Sequence, residues 1–282
     1  MELKFSAMKS ILTKIGLLSS IMLLLSCSQR VYQTNTPSVN SLKVMSYNIH
    51  HANPPSVPGK IDLDAIAKAI SDQNPDLVAL QEVDVNTDRS GKINEASMLA
   101  LKLGMKGFFF AKAIDHEGGD YGVAILSKYP ISESKIHRLP TQEGTKGEPR
   151  VLATVQVNLP GDLPGGKKIR FGSTHLDAQK SDINRLLQLT EINKIAAQER
   201  LPFIIAGDLN ATPESAVIKM FDTQFNRSCQ NCAFTIPVIN PTKAIDFIAY
   251  SKGTDMEVVS HEVVPERYAS DHLPIVSVLK FK

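Results

Sequence analysis

The chain has 282 residues, 43% of them hydrophobic, with 31 Lys and Arg against 29 Asp and Glu, 7 His, 3 Cys and no Trp. That hydrophobic fraction supplies a sizeable core and excludes a wholly disordered or fibrous chain. Leaving out residues 1–26, which carry Lys4, Lys9, Lys14 and Glu2, the remainder has 28 charges of each sign, so it lacks the basic field expected of a protein that holds long nucleic acid by its phosphates.

In chain order, Lys9 and Lys14 precede the apolar run 15–25, the layout of a secretory signal rather than of a permanent membrane span. Leu24-Leu25-Ser26-Cys27 resembles the lipobox of bacterial lipoproteins, in which cleavage before the Cys is followed by its lipidation; an ordinary cleaved signal with an incidental Cys27 is the alternative. The expected organisation is therefore a signal peptide over 1–26, a lipidated Cys27 with a polar tether over 27–41, and one domain over 42–282. The expected location is an exported, membrane-anchored lipoprotein of a bacterial cell envelope. Within the domain, short runs rich in Val, Ile, Phe and Tyr predict strands at 42–49, 77–80, 107–112, 121–127, 150–158, 168–175, 203–207, 245–250 and 275–281. Amphipathic stretches predict helices at 62–73, 94–103, 181–199 and 213–221, with Pro75 closing the first and Pro213 in the opening turn of the last. Strands outnumber helices, which implies packed sheets with helices outside. Cys229 and Cys232 lack the further Cys or His of a zinc site, and in an exported chain a local disulfide is the better reading than free thiols.

The chemistry-bearing residues stand where apolar runs stop. Asn48 ends Lys-Val-Met-Ser-Tyr-Asn, Glu82 ends Asp-Leu-Val-Ala-Leu-Gln-Glu, and His175 ends Ile-Arg-Phe-Gly-Ser-Thr-His. Asp208 and Asn210 end Phe-Ile-Ile-Ala-Gly-Asp-Leu-Asn, Asp246 opens Asp-Phe-Ile, and Asp271-His272 precede the final strand. Taken singly, each has a bland reading as a cap, a turn residue or a core imidazole; the whole set at strand ends points to a shared site held in fixed geometry. Carboxylates, amides and imidazoles without a credible Ser or Cys nucleophile suit a hard divalent cation, Mg²⁺ or Mn²⁺, beside a phosphate. Such an ion offsets phosphate charge while a base prepares water, and His175 and His272 are placed for proton transfer.

Seven segments then occur in a telling order: Ser46-Tyr47-Asn48-Ile49, Leu80-Gln81-Glu82-Val83, Tyr121-Gly122-Val123-Ala124, Thr174-His175-Leu176-Asp177, Gly207-Asp208-Leu209-Asn210, Ile245-Asp246-Phe247-Ile248 and Ser270-Asp271-His272-Leu273-Pro274. This set resembles the endonuclease/exonuclease/phosphatase superfamily that includes DNase I, in a bacterial lipoprotein-type member. The resemblance implies a four-layered α/β sandwich, with two mainly antiparallel sheets face to face and helices outside. It also implies roles: Glu82 as the main metal carboxylate, with Asn48 and Asp271 in the metal's surroundings; Asp208 and Asn210 on the attacking water; Asp246 supporting His272; and His175 at the scissile phosphate. Either Asp208 or His272 is the base. Arg89, Tyr121 and Arg150 are candidates for gripping the substrate phosphate, against solvated-loop readings for the two arginines. His50 and His51, at a place where some relatives carry an acid, are either imidazoles near the metal or a surface pair.

The expected partner is a phosphate-ester substrate, with the membrane engaged through the lipid anchor and the chain working as a monomer. Neutral charge, few aromatic side chains and the anchor favour a lipid or small-molecule headgroup. So does a similarity to the domain attached to eukaryotic GPI-anchor lipid remodelling proteins. An exported non-specific nuclease is the alternative, with Lys and Arg in 138–150 and 167–170 as a phosphate-tracking strip. A non-catalytic binding module on the same fold is the alternative of another class.

Overall fold

The computed structural model describes residues 39–161 and 166–282; residues 1–38, with the signal segment and Cys27, lie outside the described residues. The β-branched and aromatic runs pair into two six-stranded sheets. The first contains, in spatial order, β11 (Met256–Val263), β12 (Ile275–Phe281), β1 (Ser41–Asn48), β2 (Leu77–Val85), β4 (Gly119–Ser127) and β3 (Gly107–His116). The second contains β5 (Ile131–Leu139), β6 (Arg150–Leu159), β7 (Lys167–His175), β8 (Phe203–Asp208), β10 (Asp246–Ser251) and β9 (Phe225–Arg227). Neighbours are antiparallel except β1 with β2 and β7 with β8. Parallel neighbours need a crossover, and helices supply it: α1 (Leu63–Gln73) links the first pair and α3 (Ile183–Gln198) the second. Two more α-helices, α2 (Glu95–Lys102) and α4 (Ala216–Gln224), and a single 3₁₀ turn at His50–Ala52 complete the set among the described residues.

Successive strand residues point to opposite faces, and the central strands are buried on both. Val44 and Leu77 face inward onto Val155, Phe171 and Ile204 of the other sheet. Met45 and Val78 face outward onto Ile66 and Ile70 of α1 and Leu99 of α2. On the far side, Phe203, Ile205 and Phe247 pack under Leu189 and Ile192 of α3 and Val217 and Phe221 of α4. The result is the expected four layers, helix–sheet–sheet–helix.

Three strands were not predicted, and all lie at sheet edges. β5 (Ile-Ser-Glu-Ser-Lys-Ile-His-Arg-Leu) is mostly exposed, β11 is interrupted by a register shift between Val258 and Ser260, and β9 has three residues. Edge strands are charged, bulged or short because an unpaired apolar edge invites aggregation, and the same features erase their hydrophobic signature. β2 runs beyond the predicted 77–80 to Val85, through a register shift between Leu80 and Val83. α4 starts three residues beyond Pro213, with the Ser215 side chain accepting from the Ile218 amide as its cap. Cys229 and Cys232 are joined in a disulfide.

β7 and β8 approach closely because Gly207 faces Thr174; a Cβ there would stand 2.0 Å from the Thr174 carbonyl oxygen. Gly207→Ala is expected to lower stability by about 1–3 kcal/mol through overpacking, measured as a reduced urea midpoint; a midpoint equal to the parent's contradicts this packing.

Candidate active site

The two sheets end together at one rim. His175 pairs with Asp208, and Asp208 pairs with Asp246, so the ends of β7 and β8 and the start of β10 stand side by side. Across the sandwich, Asn48 at the end of β1 lies beside Gln81 of β2. Glu82 occupies the irregular stretch of β2 with φ 56°, and Asn210 has φ 49°. A left-handed backbone is unfavourable for residues with a Cβ and persists where surrounding structure imposes it, commonly at functional positions. Both residues leave the regular pleat and aim their side chains into the rim.

Asn48 joins the two halves. Its Nδ2 donates to Glu82 Oε1 at 3.0 Å and to Asp208 Oδ2 at 3.3 Å, while its Oδ1 accepts from the His50 amide at 3.1 Å. Asp208 Oδ1 accepts from the Asn210 amide at 2.8 Å. Asp208 Oδ2 is flanked by His175 Nε2 at 3.6 Å and His272 Nε2 at 3.7 Å. His272 Nδ1 lies 3.0 Å from Asp246 Oδ2, an oxygen that also accepts from the Thr235 hydroxyl. His175 is contacted by two donors, Arg150 Nη1 at its Nδ1 (3.3 Å) and Asn210 Nδ2 at its Nε2 (3.0 Å). A neutral imidazole has one lone-pair nitrogen, so it satisfies only one of them.

Burial separates the charge states of these groups. Asp208 is pushed up to about 7, first by burial and then by the neighbouring Asp246 carboxylate. For His272 burial acts against the imidazolium, but the charges and hydrogen bond of Asp246, with Asp208 and Asp271 behind them, prevail and lift it to about 10. His175 is held well below the ordinary imidazole value by burial, then by the Arg150 and His272 charges. The rim thus combines a carboxylate that exchanges protons near neutrality, a fixed imidazolium and a neutral imidazole, a division of roles set by environment.

Among the described residues, two clusters have ligand atoms within 4.8 Å of one another: Asp208, Asp246 and His272, and His50, His51 and Glu82. The first is already closed by its own imidazolium. The second is half-buried and offers one carboxylate and two imidazoles, with the His51 Nδ1 buried and lacking a protein partner, so these residues fit a divalent cation. Asp271 belongs to neither cluster; its main-chain oxygen accepts from the Val238 amide, and one carboxylate oxygen lies 3.4 Å from the Ser270 Oγ.

The phosphate-gripping candidates surround Glu82 on its other side. A cavity of about 120 Å³ is lined by Glu82, Arg89, Ile114, His116, Tyr121 and Glu148. Arg89 gives its Nε and Nη2 to Asp84 at 2.7 and 2.9 Å and lies over the Tyr121 ring at 5.5 Å. One edge of the guanidinium is therefore committed, and a bidentate grip on phosphate through that edge would require it to leave Asp84. Arg150 is buried, pairs with Glu148 at 3.1 Å and keeps a buried Nε without a partner. Tyr121 is raised by burial and then by the Glu82 charge, so its hydroxyl keeps its proton.

Three contributors were given no role from the sequence, because a hydroxyl taken alone says little. Ser270 Oγ donates to the Asn48 carbonyl at 2.7 Å, Ser173 Oγ donates across the sandwich to the Leu80 carbonyl at 3.1 Å, and Thr235 holds Asp246. Asp84, which orients Arg89, stands two residues beyond Glu82 and was open to notice as a buried acid inside a strand.

Residues 45–272 match the model of the Endonuclease/Exonuclease/phosphatase family. Protein cwh43 of Schizosaccharomyces pombe is 29% identical over 175 residues, 58% of this chain and 17% of that protein. Rat (Rattus norvegicus) Nocturnin is 24% identical over 260 residues, 77% of this chain and 57% of its own length. The chain thus spans well under two thirds of either relative. Among solved structures, an endonuclease/exonuclease/phosphatase from Beutenbergia cavernae superposes with a TM-score of 0.69 at 25% identity, covering 86% of this chain and 72% of that one. With its sandwich, its rim of paired strand ends and this match over most of its length, the chain belongs to the Endonuclease/Exonuclease/phosphatase family.

Proposed function

We propose that the chain is a divalent-cation-dependent phosphodiesterase that cleaves its ester by attack of water, on a substrate with a lipid or other small headgroup. The observation that carries this reading is the placing of His175 Nε2 and His272 Nε2 on either side of Asp208 Oδ2, at 3.6 and 3.7 Å. Asp208, poised near neutral pH, takes a proton from the attacking water; the imidazolium of His272 offers fixed positive charge to the phosphoryl oxygens; His175 and Asn210 orient the group from the other side. Glu82 would hold a divalent cation, Mg²⁺ or Mn²⁺, which when bound would neutralise phosphate charge and acidify water. Asp246 keeps His272 oriented and charged, and Asn48 keeps Glu82 beside Asp208.

Support for a small headgroup over a polynucleotide comes from where the basic side chains go. Arg138 donates to the Ala113 carbonyl, Arg150 to His175 and Glu148, and Arg170 to Glu133 and Glu199. Those arginines are occupied within the protein, which weakens a phosphate-tracking strip. The Lys-flanked apolar run and the Leu-Leu-Ser-Cys27 segment support export and a lipid anchor.

The full chain is expected to hydrolyse bis-p-nitrophenyl phosphate with Mg²⁺ or Mn²⁺, and Asp208→Asn or His272→Ala to lower kcat by at least about 10²-fold, the scale of lost general acid–base catalysis, with circular dichroism unchanged. Near-parental rates in either variant would overturn these roles, and plasmid nicking faster than sphingomyelin or phosphoinositide cleavage would overturn the headgroup reading. Replacing Cys27 by Ala should move the protein from the membrane to the soluble fraction; persistent membrane association counts against the anchor. In metal-free protein, a His272 lifted from 6.5 to about 10 contributes stability that is complete below pH 6.5 and disappears as pH rises through about 10. The melting temperature should fall over that alkaline range more steeply for the parent than for His272→Gln; parallel curves would deny the imidazolium.

A further inference from the structure

The ordered family residues leave one pair unexplained, His50-His51, which directly follows the strand that delivers Asn48. Consecutive residues in an extended chain send their side chains to opposite faces, yet these two rings have centroids 4.5 Å apart. The backbone brings them together by an unfavourable route: His50, His51 and Ala52 have φ of 47°, 41° and 53°. Three successive left-handed residues, none of them glycine, persist only where the surroundings impose them. Here the Asn48 Oδ1 accepts the His50 amide and the Ala52 carbonyl accepts the Asp62 amide at 2.7 Å.

The ring nitrogens are prepared in the way metal ligands are. His50 Nδ1 lies 2.8 Å from the Asn53 carbonyl oxygen. A carbonyl can only accept, so this nitrogen carries the proton and Nε2 keeps its lone pair, the outer contact that orients metal-binding histidines. His51 Nδ1 is buried without any partner. One ligand atom from each ring and one Glu82 oxygen fall within 4.8 Å of one another. Ligands 2.0–2.2 Å from a common ion stand roughly 3–3.5 Å apart, so a small inward rotation of half-buried side chains closes the set. Arg89, whose charge bears on His51, gives two bonds to Asp84, which partly offset it.

We propose that His50, His51 and Glu82 form a mixed imidazole–carboxylate centre that prefers a transition ion such as Mn²⁺, Co²⁺ or Zn²⁺ to Mg²⁺. Two nitrogen donors among three protein ligands suit those ions, whereas Mg²⁺ favours oxygen donors and retained water. Three ligands on one side leave positions open for water and a phosphate oxygen. The inference deepens the phosphodiesterase reading and rests on it for its purpose, but the site itself is tested by binding.

Co²⁺ titration of the full chain, followed by visible absorption, is compared with Mg²⁺ binding by calorimetry, in the parent and in a His50→Gln/His51→Gln variant. The parent is expected to bind Co²⁺ more tightly than Mg²⁺, and the variant to lose about 10–100-fold in Co²⁺ affinity with Mg²⁺ affinity changed far less. Unchanged Co²⁺ affinity in the variant, or a parent that binds Mg²⁺ as tightly as Co²⁺, overturns the proposal. Should the variant fail to fold, Mn²⁺ bound to the parent should show electron spin-echo modulation from imidazole nitrogen, and its absence overturns the proposal equally. Ester hydrolysis separates the two readings. Mg²⁺-supported turnover with histidine-independent metal binding keeps the enzyme and removes this centre; histidine-dependent Co²⁺ binding without turnover on any ester keeps the centre and removes the enzyme.

Discussion

The structure turns on one side-chain amide. Asn48 Nδ2 reaches Glu82 within its own sheet and Asp208 in the facing one, so a single amide ties the carboxylates of the two sheets together. Both acceptors are carboxylates, and charge-assisted hydrogen bonds are shorter and stronger than neutral ones. A carboxylate at position 48 would repel both partners, and an alkyl side chain would remove the one amide donor that the half-buried Glu82 and the buried Asp208 share. The Ser270 hydroxyl on the Asn48 carbonyl and the Asn48 Oδ1 on the His50 amide extend this clamp to the loop before β12 and to the turn after β1.

Beneath the clamp, the charge arrangement follows from how few buried groups share it. Asp208 and Asp246 stand in register at the edge of a dry interior, where two full negative charges are costly. The sequence answers with a single cation, His272, placed 3.0 Å from one and 3.7 Å from the other. The imidazolium lies nearer Asp246, and Asp208 is left exchanging a proton near neutrality. Asp246 still has a buried Oδ1 without a partner, so the network retains unused acceptor capacity.

The central strands were legible because burial on both faces leaves near-continuous apolar runs, as in Leu-Val-Ala-Leu of β2 and Phe-Ile-Ile-Ala of β8. β5 and β11 were not, because an edge facing water looks like a loop in composition. The end of β2 was misplaced at Leu80 for a different reason: Glu82 interrupts the pattern, and a strand that bulges at its polar residue resembles a strand that stops there. Single residues such as Asp208 or His175 were ambiguous alone, and their ordered set made the rim visible before the fold. What the sequence could not reveal was mutual orientation. That Arg89 already holds Asp84, that His175 faces two donors, and that a left-handed turn brings the His50 and His51 rings together are properties of backbone dihedrals and packing rather than of residue spacing.

The sheet order carries a consequence for how the molecule comes into being. β1, which delivers Asn48, is flanked on one side by β12, so the earliest strand of the sandwich must wait for the latest before its edge is closed. Pairings of such long sequence separation form slowly, since loop-closure entropy must be overcome before they contribute. A nascent chain therefore passes through synthesis with Asn48 and Glu82 in hand but without His272, and the rim is complete only after the closing strand has been made.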